Sequence, residues 1–240
     1  MSGYLGGAGI TGVHLGGTGI TGIYRGGTRV WGMDGRIRID FNGANGQLED
    51  TGDWDDFGPS GTYKVSIVDG KMRLGLPDGL IGEWFLTSRA RYDADTLDAD
   101  NGYIEVRVAS RGDGSTLFSL GNPYRTHIYR RVNNAGSSIS NAVGFELAAS
   151  QVNIVRRVGT TDTVMQECGA FAAGDRVRLR SVGNLHELYV NGEFRDDWND
   201  SGATVASGSS NRKIAVRVDA SKDPLGPRRF SPAIDWIDAA

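Results

Sequence analysis

Asp175 to Asp196 reads DRVRLRSVGNLHELYVNGEFRD, and the rest of the chain can be read outward from it. In Arg176 to Ser181, Arg176, Arg178 and Arg180 fall on one face and Val177 and Leu179 on the other. A period of two is the mark of a half-buried strand. A five-residue connection containing Gly183 and Asn184 follows, and Glu187 to Val190 alternates again with Leu188 and Val190 as its buried pair. Asn191-Gly192 is a strong hairpin signal, because both central positions of a two-residue turn favour positive φ. Glu193 and Phe194 open the return strand. The stretch is a three-strand antiparallel meander with one face wet and one in a core.

The surrounding chain follows the same grammar. Arg36 to Phe41 alternates, and Asp69-Gly70 joins Thr62–Val68 to Lys71–Leu76 as a second tight hairpin. Gly102 to Ser110 sends Ile104, Val106 and Val108 one way and Tyr103, Glu105 and Arg107 the other. Further strands are predicted at Glu83–Ser88, Thr116–Leu120, Thr126–Val132, Val143–Ala148, Val152–Val158, Val164–Glu167, Lys213–Val218 and Ala233–Ile237. Arg91 to Asn101 reads as an acidic, turn-rich loop. No window has helical periodicity. Many short strands punctuated by Gly, Asn and Asp predict an all-β sandwich or jelly roll. Of the five tryptophans, at 31, 54, 84, 198 and 236, most are core candidates, and the last lies in a strand expected beside the first.

The N-terminal segment has a different texture. Gly6-Gly7, Gly16-Gly17 and Gly26-Gly27 recur every ten residues, in GYLGGAGIT, VHLGGTGIT and IYRGGTRVW. Tyr4, His14 and Tyr24 share one slot, and Ile10, Ile20 and Val30 another, with Trp31 beside the last. Gly-Gly suits the corners of two-residue hairpins. Such a ladder buries little apolar surface alone, so these seven side chains are candidates for assembly. A flexible glycine linker is the competing reading. The composition changes between Gly32 and Gly35, which divides the chain into repeats at 1–34 and a sandwich at 35–240.

Composition narrows the function. The 240 residues are 39% hydrophobic, enough for a core, and 36 are glycine. A net charge of −3 argues against nucleic acid as the main partner. No run approaches the roughly 18 apolar residues of a membrane helix, and MSGYLGGAGI has no signal-peptide pattern. Membrane insertion is therefore not expected, and synthesis in the cytoplasm is. The single cysteine, Cys168, reads as a small buried hydrophobe.

No cofactor or metal motif emerges. His14, His127 and His186 are scattered, without metal-ligand spacing, and no Gly-x-Ser-x-Gly elbow occurs. Two acidic loops, at residues 49–56 and 93–100, have oxygen ligands enough for calcium but lack the EF-hand spacing, and read as solvated turns. Glycoside hydrolysis needs two carboxylates across one sugar, and Glu105 and Glu146 each stand alone on a predicted strand. A non-enzyme is expected. In NPYRTHIYRR, residues 122–131, Tyr124, Arg125, His127 and Tyr129 are candidate glycan-binding residues, with rings to stack and polar tips for hydroxyls. The same segment also reads as an ordinary strand, Thr126 and Ile128 facing the core and the others in solvent or at a subunit contact.

Several of these pieces, in this order, resemble a known family. Phe41-Asn42, Gly46-Gln47-Leu48 and Trp54, then Tyr63-Lys64-Val65 before Asp69-Gly70, Asp100 to Val106, and Leu188 to Gly192 are similar to concanavalin A-like (laminin-G-like) lectin and glucanase sandwich domains. The resemblance covers 36–240. IYRGGTRVW resembles glycine-centred segments in minor tail proteins of phages that infect actinobacteria. Together they imply a concanavalin A-like jelly roll after a short glycine-rich β segment, in a virion tail at its tip or fibre. The implied partners are other tail proteins, further copies of this chain (a trimer is the preferred state) and a host cell-wall glycan. Catalytic residues are not implied.

Overall fold

The computed structural model describes backbone at residues 14–15, 18–19, 22–25 and 28–32, and the chain at 36–58, 63–78, 83–113, 124–223 and 226–240. Compact units comprise Met1–Gly35 and Arg36–Ala240. In the first, β1 (His14–Leu15) pairs with β2 (Thr18–Gly19), and β3 (Gly22–Arg25) with β4 (Thr28–Gly32). Leu15 lies opposite Thr18 and Arg25 opposite Thr28. Of the candidate assembly residues, His14, Tyr24, Val30 and Trp31 fall in these strands; Tyr4, Ile10 and Ile20 lie outside the described residues.

The second unit is a β-sandwich without α-helix among its described residues. Its strands are β5 (Ile37–Asp40), β6 (Gly46–Gln47), β7 (Trp54–Asp56), β8 (Val65–Val68), β9 (Lys71–Leu74), β10 (Glu83–Tyr92), β11 (Gly102–Ser110) and β12 (Arg125–Val132). They continue as β13 (Asn141–Ala148), β14 (Gln151–Val158), β15 (Thr161–Ala170), β16 (Arg176–Val182), β17 (Leu185–Val190), β18 (Glu193–Asn199), β19 (Lys213–Lys222), β20 (Arg228–Phe230) and β21 (Ala233–Ala239). An eight-stranded sheet runs β15-β14-β13-β12-β19-β10-β7, with β20 beside β19. A nine-stranded sheet runs β18-β17-β16-β11-β21-β9-β8-β6, with β5 also on β21. Every pairing is antiparallel, so each strand needs only a hairpin or loop to reach its neighbour.

Alternation decides which side chains meet between the sheets. Ile104, Val106, Val177, Leu179, Leu188 and Ile237 from one sheet face Ile128, Phe145, Leu147, Ile154, Val216 and Val218 from the other, all buried. Each contributes roughly 1.5–3 kcal/mol of transfer free energy. Asn191 and Gly192 turn with φ of 55° and 85°, joining β17 to β18 as the sequence predicts. The β12–β13 pair is tighter still: a Cβ on Gly144 would stand 2.0 Å from the Ile128 carbonyl oxygen, so no larger residue fits there.

Differences from the sequence reading have local causes. The β16–β17 connection is only Gly183-Asn184, because His186 turns inward with Leu188 and lengthens the strand. Likewise β10 runs on to Tyr92 through Arg91, whose charge is met by Asp55 and Asp93. Trp236 does pair with Asp40 of β5, but it is only half-buried, with the Arg38 guanidinium 4.0 Å from its ring centroid. Trp54 is buried in the core. The strand predicted at Thr116–Leu120 lies outside the described residues.

Candidate functional site

On strand β12 the pattern turns Thr126 and Ile128 inward and His127 and Tyr129 onto the outer face of the eight-stranded sheet. One row of that face reads Arg89, Arg217, His127, Glu146, Asn153 across β10, β19, β12, β13 and β14. Tyr129 donates its hydroxyl proton to Asp162 at 2.8 Å. The His127 Nδ1 therefore donates to the Tyr129 oxygen at 2.6 Å. On the other side of the imidazole, Nε2 stands 3.3 Å from Glu146 Oε2, close but misaligned for a hydrogen bond. Asp162 also accepts from Arg157 at 2.8 Å and Arg217 at 3.0 Å. Burial would raise the Asp162 carboxyl, but His127 and Arg157 outweigh it and hold the group at about 2. Glu146, which burial would also raise, is shifted below its ordinary value by His127.

Burial corrects three of the four glycan-binding assignments, Tyr124, His127 and Tyr129. Tyr129 is 0% exposed and joins Val132, Ile139, Ala142, Val155 and Ala215 in a second apolar cluster beneath the 133–140 loop. Asn133 ties that loop down, donating to the carbonyls of Ala135 and Ser138 and accepting from Ser140 N. Tyr124 is 0% exposed, hydrogen-bonded to Ser221 and stacked 5.7 Å from Phe85. Neither ring can stack a sugar. His127 is buried with them, and Arg125, 3.4 Å from Glu146, is partly exposed. The solvent-facing alternative for His127 and Tyr129 fails for the same reason.

The outer face of the nine-stranded sheet is open. There the meander quoted above lines up Glu105 of β11, Arg178 of β16, Tyr189 of β17 and Phe194 of β18 in one cross-strand row. Arg178 donates to Glu105, and its guanidinium lies 4.5 Å from the Tyr103 ring centroid. Phe194 meets Tyr189 edge-on at 5.7 Å. Arg180 donates to Glu187 at 2.9 Å, which keeps the neighbouring row in register. A hollow of about 260 Å³ lies over this row, lined by Glu105, Arg176, Arg178, Arg180, Tyr189 and Gly192. Arg178 is 44% exposed and Phe194 54%. The site thus presents an aromatic pair and forked cationic donors to solvent, while the Glu105 carboxylate is buried beneath them and holds Arg178 in place. Tyr189 and Phe194 were not singled out as binding residues from sequence; the Asn191-Gly192 hairpin, which places them opposite each other, was the signal.

The remaining chemical candidates resolve into structural roles. Glu105 and Glu146 stand on outer faces of opposite sheets, each flanked by core residues, so they cannot flank one sugar. In the acidic loops Asp93 is bound by Arg91 and Lys213 and Asp100 by Arg212, and no cluster of three metal-ligating side chains occurs among the described residues. Cys168 is buried, and burial pushes its thiol up to about 11.

No family model matches the sequence, and no curated protein does. Solved structures match in fold. The Emp47p carbohydrate recognition domain is 11% identical, with a TM-score of 0.53 over 86% of this chain and 95% of that one. The potassium-bound Emp46p carbohydrate recognition domain is 15% identical, with a TM-score of 0.52 over 84% and 94%. A prokaryotic β-1,3-1,4-glucanase (lichenase) from a mouse hindgut metagenome is 12% identical, with a TM-score of 0.50 over 85% and 98%. The second unit therefore has the concanavalin A-like lectin/glucanase sandwich fold.

Proposed function

We propose that the sandwich is a non-catalytic, carbohydrate-binding module, displayed on a phage tail by its glycine-repeat segment. The observation that carries the binding reading is the open Glu105–Arg178–Tyr189–Phe194 row with the hollow above it. Saccharides are held by an aromatic face against the ring and planar, forked donors and acceptors against paired hydroxyls. The row supplies the aromatic face and the forked donors, with buried Glu105 orienting Arg178. The names of two fold neighbours, both carbohydrate recognition domains, point the same way.

Binding is favoured over hydrolysis by the state of the acids. A general acid must keep its proton near the working pH. Asp162 sits at about 2, and Glu146 below its ordinary value, each held there by a cationic or hydrogen-bonding neighbour. The tail assignment rests on the resemblance of residues 23–31 to tail-protein segments, and it carries tail proteins, a homotrimer and a virion location with it. The net charge of −3 supports a partner other than nucleic acid.

A glycan array probed with the full chain, paired with a reducing-sugar assay on each hit, tests this reading. Retention of a wall-type glycan without sugar release is the expected result. Release of reducing sugar would make the protein a hydrolase, and an array with no hit would remove the binding role.

A further inference from the structure

Strand β12 carries a bulge: its pairing with β19 shifts between Tyr129 and Val132, and Arg131 has a φ of 53°. A non-glycine residue is uncommon in that region and is held there only by its surroundings. What the bulge achieves is to turn two successive arginines to one end of the sandwich interior. Arg130 Nη2 and Arg131 Nε both donate to the Asp100 carbonyl oxygen, each at 3.2 Å. Arg131 Nη2 donates to the Gly183 carbonyl at 2.6 Å.

Neither guanidinium makes an ion pair, although the Asp100 charge favours both from a distance. Arg130 is 0% exposed and Arg131 2%. Arg130 Nε and Nη1 have no hydrogen-bond partner. Among the described residues, no carboxylate lies within ion-pair distance of either. The Asp100 carboxylate is taken by Arg212 and by Gly208 N, and that of Asp200 by Thr204 and Val205 N. Burial and then Arg131 lower Arg130 to about 9, which leaves it charged at neutral pH. An unpaired buried charge costs several kcal/mol.

A third buried group lies in the row of the other sheet that Arg130 approaches: Arg130 Nη2 would stand 3.3 Å from a Cβ on Gly102, which pairs with Ser181, which pairs with His186. His186, 0% exposed on β17, points inward and hydrogen-bonds Ser181 Oγ through Nδ1 at 2.9 Å. Its Nε2 has no partner. Burial, then Arg131 and Arg130, hold the imidazole down to about 3, so it is neutral at pH 7. In the tautomer whose Nδ1 accepts from Ser181 Oγ, the one an anion site requires, Nε2 carries the proton and is a further donor.

We propose that Arg130, Arg131 and His186 form an internal site for a small inorganic anion of halide size, enclosed between the sheets. The donors come from two sheets and are fully buried, so the ligand must be small enough to be enclosed. A spherical ion accepts donors from directions that share no plane. Its charge offsets the paired guanidiniums and ties the β12 bulge to β17, making the anion a structural element of the sandwich.

The probe is bromide. Crystals of the full chain grown in bromide should show an anomalous peak roughly 3.3 Å from Arg130 Nε or Nη1 and none in Arg130→Met. In solution, at constant ionic strength, replacing gluconate (too large to enclose) with bromide should raise Tm by roughly 5–10 °C at a hundredfold excess over Kd. Arg130→Met should lose that rise, which separates site binding from general salt effects. Should the variant not fold, the wild-type crystal and anion series decide alone. Density at Arg130 without anomalous signal, together with a Tm indifferent to the anion, would replace the ion with water and overturn the proposal.

Discussion

Arg178 stands directly opposite Glu105 across the β11–β16 pair, donates to its carboxylate, and lies over the Tyr103 ring. The pair is held in one pose from two sides, yet almost half of the Arg178 side chain is open to solvent. Such a group is oriented for a ligand without being used up by the fold. Arg178→Lys keeps the charge but loses the planar fork. It should weaken glycan binding about tenfold, while Tm moves by less than about 2 °C, since partly exposed ion pairs contribute little to stability. Calorimetric titration and a thermal melt on the same samples read both numbers.

Tyr129 makes the opposite case. Its hydroxyl, fully buried, accepts from His127 and donates to Asp162. Tyr129→Phe leaves two buried polar atoms each short of a partner, at a cost of about 1–3 kcal/mol. Urea unfolding should register that loss, with glycan affinity unchanged.

The buried titrating groups set the acid limit of the fold. Both His186, at about 3, and His127 are lowered in the folded state, chiefly by burial. The unfolded chain therefore takes up protons first, and stability falls as the pH drops below about 6.5. For Asp162 the depressed carboxyl contributes stability above about pH 4 that is lost as the pH falls toward 2. Losing it costs about 2–3 kcal/mol. Chemical denaturation from pH 7 to 2 should give a continuous decline. His186→Asn should flatten its upper part and Asp162→Asn its lower part; unchanged slopes in both would contradict these assignments.

How much of this was legible in the residues depends on the element. Strand β11 was read with its observed bounds, because Ile104, Val106 and Val108 alternate without interruption and Gly102 marks its start. In the meander the Asn191-Gly192 turn and the inward Val177, Leu179, Leu188 and Val190 were legible, but the strand length was not, since His186 looks like a loop residue until the period of two is extended to it. Outward orientation of His127 and Tyr129 was legible too. Their burial was not: for Tyr129 it depends on the 133–140 loop laying Ile139 over the sheet, where Arg157 donates to the Ile139 carbonyl, and no periodicity announces a loop's path. The Glu105–Arg178–Tyr189–Phe194 row needs the pairing of four strands, and the sequence displays only the hairpin that sets one of them. The twin arginines of β12 were hidden by the bulge, which breaks the alternation that would have put Arg131 outside.

Under the proposed function the glycine repeat has a role in assembly. Removal of residues 1–35 should leave a folded sandwich with a cooperative melt, and should convert a trimer to a monomer by light scattering. A full chain that is already monomeric would make the segment a linker or a plug for a different protein.

The central claim is that sugar is held on the nine-stranded sheet. It is tested most directly by titrating one array-selected glycan into the wild-type chain, Tyr189→Ala and Arg125→Ala. Tyr189→Ala should lose at least about tenfold in affinity, as expected for removing a stacking face, while Arg125→Ala binds as wild type. Undiminished binding by Tyr189→Ala with loss in Arg125→Ala would contradict the account and return the site to the eight-stranded sheet.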